Sequence, residues 1–249
     1  MYRLRQFIPK TEQIEIIPCG DVHFGSPNCN IKLFKNTIKY IEDTPNCYMI
    51  GMGDFWDCII PKDPRFDPTQ EFNLIDDNYN AIKTILEPIK KKILCFLIGN
   101  HEYHLVSDGY GDLIKRLSTE LGVSYAGFST FLRLETNEKP VKRLVFYLHH
   151  GWFAGRQRGS KVNNLENIMR DYEADIYLAG HSHDLFATRR VRINFEGAKK
   201  VIFANTGSFL ETATWGTTGY GERAGYSPQK LGVVKIKWYP DKDDIHITE

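Results

Sequence analysis

The sequence predicts a mixed α/β protein in which two β-sheets pack face to face and helices cover the outside. Three observations carry this expectation. Short apolar runs bounded by Gly recur along the 249 residues, rich in Ile, Leu, Val, Phe and Tyr, and read as buried strands. In the first part of the chain they alternate with segments of helical spacing. In the later part strands dominate.

In order, Ile14–Cys19 is the first strand, and Lys32–Glu42 follows with Leu33, Ile38 and Ile41 at helical spacing. Cys47–Met52 is the second strand. Pro61–Pro68 is rich in Pro and Asp and reads as a loop. Asn78–Lys90 repeats Ile82, Ile85, Leu86 and Ile89 on one helical face, and Ile93–Ile98 is a strand. Asp112–Leu121 is a short helix stopped by Gly122. Val123–Ala126 and Phe131–Glu135 read as strands, with a turn at Asn137–Pro140 into Leu144–Leu148. Asn164–Tyr172 is helical and leads to Ile176–Ala179. Phe186–Arg192, Lys200–Ala204 and Leu231–Tyr239 complete the strands. No repeat, low-complexity tract or long linker divides the chain, so residues 1–249 read as one domain.

Composition sets outer limits. A charged fraction of 25% and a hydrophobic fraction of 42% are those of an ordinary globular protein. The formal net charge of +1 gives no global field toward nucleic acid or a membrane. No apolar run is long enough to span a bilayer, and the first ten residues lack the apolar core of a signal peptide. All five Cys precede residue 96, and Cys19, Cys47 and Cys95 fall in or beside expected strands. Buried thiols of this kind suit a reducing compartment, so the expected location is the cytoplasm.

Five blocks of metal-binding residue types stand where apolar runs stop: Gly20-Asp21-Val22-His23, Gly53-Asp54-Phe55-Trp56-Asp57, Gly99-Asn100-His101-Glu102, His149-His150-Gly151 and Gly180-His181-Ser182-His183. Loops at strand ends converge on a site held by a rigid sheet. Asp with His suits borderline divalent ions such as Mn, Fe, Zn or Co, whereas oxygen-only ligation would suggest Mg or Ca. No Cys has the spacing of a structural zinc site. A carboxylate at a strand end can bridge two ions about 3.5–4 Å apart, and water held between them becomes a nucleophile near neutral pH.

The order and spelling of these blocks resemble the calcineurin-like metallophosphoesterases, which carry D-x-H, GD-x-x-D, GNH-E/D, an isolated His block and GH-x-H in that order. The resemblance runs from Asp21 to about Ser208. Asn205-Thr206-Gly207-Ser208 is similar to the N-x-G-S turn that follows GH-x-H in many members. The resemblance implies a four-layer αββα sandwich and two divalent ions, Mn foremost, with Fe, Zn, Co or Ni as alternatives. It implies that Asp21, His23 and His183 hold the first ion and that Asp54 bridges. Asn100, His149 and His181 would complete the second site, His149 being preferred to His150 because members place the ligand first after the strand. His101 would protonate the leaving group, with Asp57 behind it to orient the ring and raise its pKa.

The sequence departs from the phosphoprotein phosphatases at one place. They continue GD-x-x-D with an Arg that clamps the substrate phosphate, whereas Cys58-Ile59 follows Asp57. Arg156, Arg158 and Lys161 lie in Gly151–Lys161, read as a basic glycine loop that could supply the missing cation. Glu211–Ser227, with Trp215, Tyr220 and Tyr226, reads as a lid or binding loop or as a packing element.

The main expectation is a two-metal phosphoesterase, leaning toward diesters, that acts on a small-molecule or oligonucleotide phosphoester and needs no membrane. Phosphomonoesterase activity stays open. A DNA or RNA nuclease of the same superfamily is the second reading, and near-zero net charge with no extended basic stripe counts against it. A non-catalytic protein-binding scaffold is the third. The full set of ligand-type residues and His101 counts against that one.

Overall fold

In the computed structural model, which describes residues 1–59, 75–151, 157–195, 197–212, 225 and 227–249, the apolar runs assemble into two mixed sheets. The strands are β1 (Tyr2–Ile8), β2 (Ile14–Cys19), β3 (Cys47–Gly51), β4 (Ile93–Phe96), β5 (Ser129–Thr136), β6 (Arg143–His149), β7 (Ile176–Ala179), β8 (Leu185–Asn194), β9 (Gly197–Ser208), β10 (Gly232–Val233), β11 (Lys235–Tyr239) and β12 (Asp244–Thr248). The larger sheet has the order β1-β5-β6-β7-β9-β10, with β8 paired to β9. The smaller has the order β12-β11-β2-β3-β4.

The helices are α1 (Ile31–Asp43), α2 (Ile75–Leu86), α3 (Asn100–Ser107), α4 (Leu113–Leu121) and α5 (Arg158–Asp171). Asn30 caps α1 by accepting from the Leu33 amide at 3.0 Å, and Phe34, Ile38 and Ile41 form its buried face. Asp112 caps α4 in the same way, and Gly122, with φ of 69°, ends it.

Period-two alternation sorts each strand between two cores. Ile14, Ile16, Ile50 and Leu94 of the smaller sheet meet Leu132, Leu134, Phe146, Leu148 and Leu178 of the larger one. The other face of the smaller sheet packs on α1, α2 and α4 through residues such as Phe34, Ile82 and Leu117. The other face of the larger sheet packs on α5 through Tyr147, Leu165 and Tyr177. The result is the expected αββα layering.

Local departures have physical causes. The helix expected over Asn78–Lys90 starts at Ile75 and changes at Glu87 into a 3₁₀ turn, because Pro88 cannot continue the α-helical ladder. Val123–Ala126 is not a strand, and Tyr125 makes only one bridge to Phe96. The helix expected at Asn164 begins at Arg158, inside the segment read as a basic loop. Three elements do not stand out in the sequence: β1, β12 and α3. The Pro61–Pro68 loop lies outside the described residues. No helix among the described residues is long and apolar enough to cross a membrane. Cys19, Cys47 and Cys95 are buried as expected and all five cysteines are free, with burial pushing Cys95 up to about 12.

Candidate metal centre

The first, second, third and fifth blocks stand just beyond the ends of β2, β3, β4 and β7, and the fourth stands at the end of β6. The loops are stitched together by main-chain bonds. The Asp21 amide donates to Gly53 O, and those of Val22 and His23 donate to Asp54 O, at 2.8–3.0 Å. Ser208 Oγ, at the end of β9, donates to Asp21 O at 2.9 Å. Asp21, His23, Asp54, His181 and His183 all have positive φ, between 50° and 64°. Such backbone is costly for non-glycine residues and persists where the surroundings over-determine it, often at functional sites. A Cβ on Gly99 would lie 2.0 Å from Asp54 Oδ1, so only Gly lets the third block approach the second this closely.

Two adjoining groups of ligand-type atoms result. In the first, His183 Nε2 is 3.4 Å from Asp21 Oδ1 and 3.0 Å from His23 Nε2. In the second, Asn100 Oδ1 is 3.0 Å from His150 Nε2 and 2.7 Å from His181 Nδ1. Asp54 Oδ2 faces both, 3.9 Å from His23 Nε2 and 3.3 Å from His150 Nε2. That oxygen is buried and makes no hydrogen bond. A buried carboxylate oxygen without a donor, ringed by imidazoles, is what a cation would satisfy. The donor set of Asp, Asn and His therefore fits divalent ions.

The fields are strong in this buried cluster. Burial pushes the Asp54 carboxyl up, but His150 and His101 outweigh it and hold the group well below the usual range. Burial lowers His150, yet Asp54 and Asp21 carry it up to about 10. His181 is pulled down to about 4 by burial and by His150.

The structure corrects one residue. His150, not His149, joins the second group. Leu144, Phe146 and Leu148 face the inter-sheet core, so alternation turns His149 away and returns His150 to the seam. His149 Nδ1 instead accepts from the Gly151 amide at 2.7 Å. His150→Ala should lower retained metal at least about 100-fold in affinity, and His149→Ala should leave it near wild type. Metal content after dialysis checks both, and the reverse order would restore His149.

Asp57 stands behind two imidazoles, His101 and also His23. Its carboxylate lies 3.1 Å from His23 Nδ1 and 3.5 Å from His101 Nδ1, and His101 Nδ1 bonds the Asp57 main-chain carbonyl. Its side chain therefore orients His23 more directly than His101, as carboxylates behind metal-binding His commonly do. The His101 amide donates to Asp54 Oδ1 at 2.9 Å.

Of the three basic candidates, Arg156 lies outside the described residues, as do Trp215, Tyr220 and Tyr226. Arg158 opens α5. Lys161 is buried in α5, with Nζ 3.5 Å from Asp184 Oδ2 and 3.4 Å from Ser182 O. It ties α5 to the loop carrying His181 and His183.

One organising residue has no role in the sequence reading. Glu102 is fully buried, and its carboxylate accepts from the amides of Gly99, Asp54, Phe55 and Trp56 at 2.6–3.3 Å. Burial and Asp54 push it up to about 7 against the pull of His150 and of the Trp56 and Asp54 amides. The signal available in the sequence was its place three residues after Gly99, the spacing at which Glu reaches back to a helix N-cap.

A family model described as calcineurin-like phosphoesterase matches residues 14–185. A metallophosphoesterase from Sphaerobacter thermophilus is 13% identical, with 95% of this chain and 88% of that chain covered and a TM-score of 0.42. A conserved uncharacterised protein and predicted phosphoesterase from Streptococcus pneumoniae TIGR4 is 14% identical over 92% and 84%, with a TM-score of 0.39. Vacuolar Protein Sorting 29 from Cryptosporidium parvum is 16% identical over 96% and 97%, also at 0.39. No curated protein matches the chain.

Proposed function

The chain belongs to the calcineurin-like phosphoesterase family, and from that premise we propose that it is a two-metal phosphodiesterase. The carrying observation is Asp54 Oδ2, buried, without a hydrogen bond and facing both ligand groups. Asp21, His23, Asp54 and His183 would hold one divalent ion. Asp54, Asn100, His150 and His181 would hold the other, with Mn the first choice. Bound there, the ions would polarise a phosphoryl oxygen and acidify a water.

The protein's own groups do the rest. His101 stands within 4.8 Å of ligand atoms of both His23 and Asp54. Its Nδ1 is anchored on the Asp57 carbonyl, so a proton on Nε2 is the one to pass to the departing ester oxygen. Asp57 holds His23 by its Nδ1 and thereby directs Nε2 toward the centre. The preference for diesters rests on charge. Cys58 follows Asp57 where the protein phosphatases carry an Arg, and Lys161 is drawn to Asp184. A singly charged diester depends less on such a cation than a monoester dianion does.

The test compares bis(p-nitrophenyl) phosphate with p-nitrophenyl phosphate on chelator-stripped protein reloaded with Mn. A faster diester rate is expected, and a faster monoester rate would overturn the diester preference. His101→Ala should slow diesters with poor leaving groups by about 10²–10⁴-fold and p-nitrophenyl esters far less. Equal loss on both would remove His101 as the proton donor.

A further inference from the structure

The outer face of the larger sheet carries a second feature, away from the ligand groups. A cleft of about 600 Å³ is lined by Arg3, Arg5, Arg133, Arg192 and Lys199, with Glu173 and Asp175 the only carboxylates among its lining residues. These cations come from four strands. Arg5 and Arg133 are register partners on β1 and β5, as are Arg192 and Lys199 on β8 and β9. Alternation puts them on the side away from the inter-sheet core, because Leu4, Leu132 and Leu134 face inward. Lys199 pairs with Asp175, and Arg192 stands 3.6 Å from Glu173. Arg5 and Arg133, with Arg143 beside them, share the single carboxylate of Glu135. Positive charge is therefore in local excess although the whole chain is +1.

Phe7 follows Arg5 on the same face of β1 and is 60% exposed, with the Arg5 guanidinium 4.8 Å from its ring centre. β1 is the edge strand of its sheet. Four of the five cations are guanidiniums, whose planar fork matches phosphate oxygens. An exposed aromatic ring beside them offers a platform for an unpaired base. An acidic peptide would use the charge but not the ring, and a duplex has no free base to stack.

We propose that this cleft binds single-stranded nucleic acid, its phosphates on Arg3, Arg5 and Arg133 and a base on Phe7. The binding does not depend on the hydrolytic reading, so it is tested without metal. A fluorescein-labelled oligothymidine is titrated with chelator-treated full-length protein, anisotropy is followed at several salt concentrations, and duplex DNA and polyglutamate serve as competitors. The double variant Arg3→Glu/Arg133→Glu should bind at least about 10-fold more weakly. Its slope of log affinity against log salt should be smaller by about 1.4, since each phosphate contact on a single strand contributes about 0.7. Phe7→Ala should weaken binding at least about fivefold, the low end for one stacked base, with the salt slope unchanged. Both variants should keep the wild-type melting midpoint and the Mn-dependent rate on bis(p-nitrophenyl) phosphate. Absence of oligothymidine binding at low salt, unchanged affinity in the variants, or equal competition by polyglutamate or duplex would each overturn the proposal.

Discussion

Asp54→Ala is expected to lower phosphoester hydrolysis at least about 1000-fold, equivalent to about 4 kcal/mol of transition-state stabilisation. Asp54 faces both ligand groups, with Oδ2 lying toward His23 on one side and His150 on the other. Asp54 Oδ1 meanwhile holds the His101 amide. Its loss would therefore weaken both metal positions and release the residue proposed to protonate the leaving group. Asp54→Asn separates these effects, since an amide oxygen can keep the His101 bond while the negative charge is gone. Metal content and rate measured together on both variants decide the matter. An Asp54→Ala protein that retains two ions and near-normal rate would end the two-metal reading.

The same substitution has a pH signature without metal. His150 is carried up to about 10 largely by Asp54 and Asp21. A raised histidine contributes stability that is fully present below its ordinary value near 6.5 and is lost as pH rises through the folded value. The gap in stability between wild type and Asp54→Ala that comes from this pair should therefore be widest on the acid side of about pH 6.5, while Asp54 stays ionised. It should close toward pH 10.

How much of this was legible in the sequence depends on the kind of signal. The first, second, third and fifth blocks lie just beyond β2, β3, β4 and β7, where the sequence puts them, because an apolar run ending at Gly fixes where a strand stops. The fourth block was read one residue early. The spelling of related motifs pointed to His149, but the alternation of Leu144, Phe146 and Leu148 toward the core already pointed to His150. Periodicity carried the better information there. β1 gives no sequence signal because an edge strand with Arg3, Arg5 and Phe7 on its open face lacks an apolar run. For the same reason the basic stripe was invisible. Its cations are spread over four strands between residues 3 and 199 and come together only through sheet register. The near-zero net charge, which counted against nucleic acid, averages over the whole surface and is blind to such a concentration. Lys161 shows the opposite error. A basic residue among glycines looked like a loop cation, but the helix begins at Arg158 and buries it against Asp184.

The second large effect is structural. Glu102→Ala should destabilise the metal-free protein by at least about 4 kcal/mol, because buried amides left without an acceptor cost about 1–3 kcal/mol each. Four amides converge on this carboxylate, two per oxygen. Those of Gly99 and Asp54 meet Oε2, and those of Phe55 and Trp56 meet Oε1. Glu102→Gln is the sharper probe. It keeps size and one acceptor oxygen but turns an amide nitrogen toward two donors, so about half of the loss, roughly 2–3 kcal/mol, should remain. Urea unfolding of both variants measures this directly. The functional consequence follows from position. Glu102 joins the Asp54 loop to the N-terminus of α3, and these two elements carry Asp54, Asn100 and His101. Folded Glu102→Gln protein should therefore bind Mn more weakly even under conditions where it is fully native. Wild-type unfolding midpoints together with wild-type Mn affinity would show that the loop keeps its shape without this carboxylate, and Glu102 would then be a helix cap only.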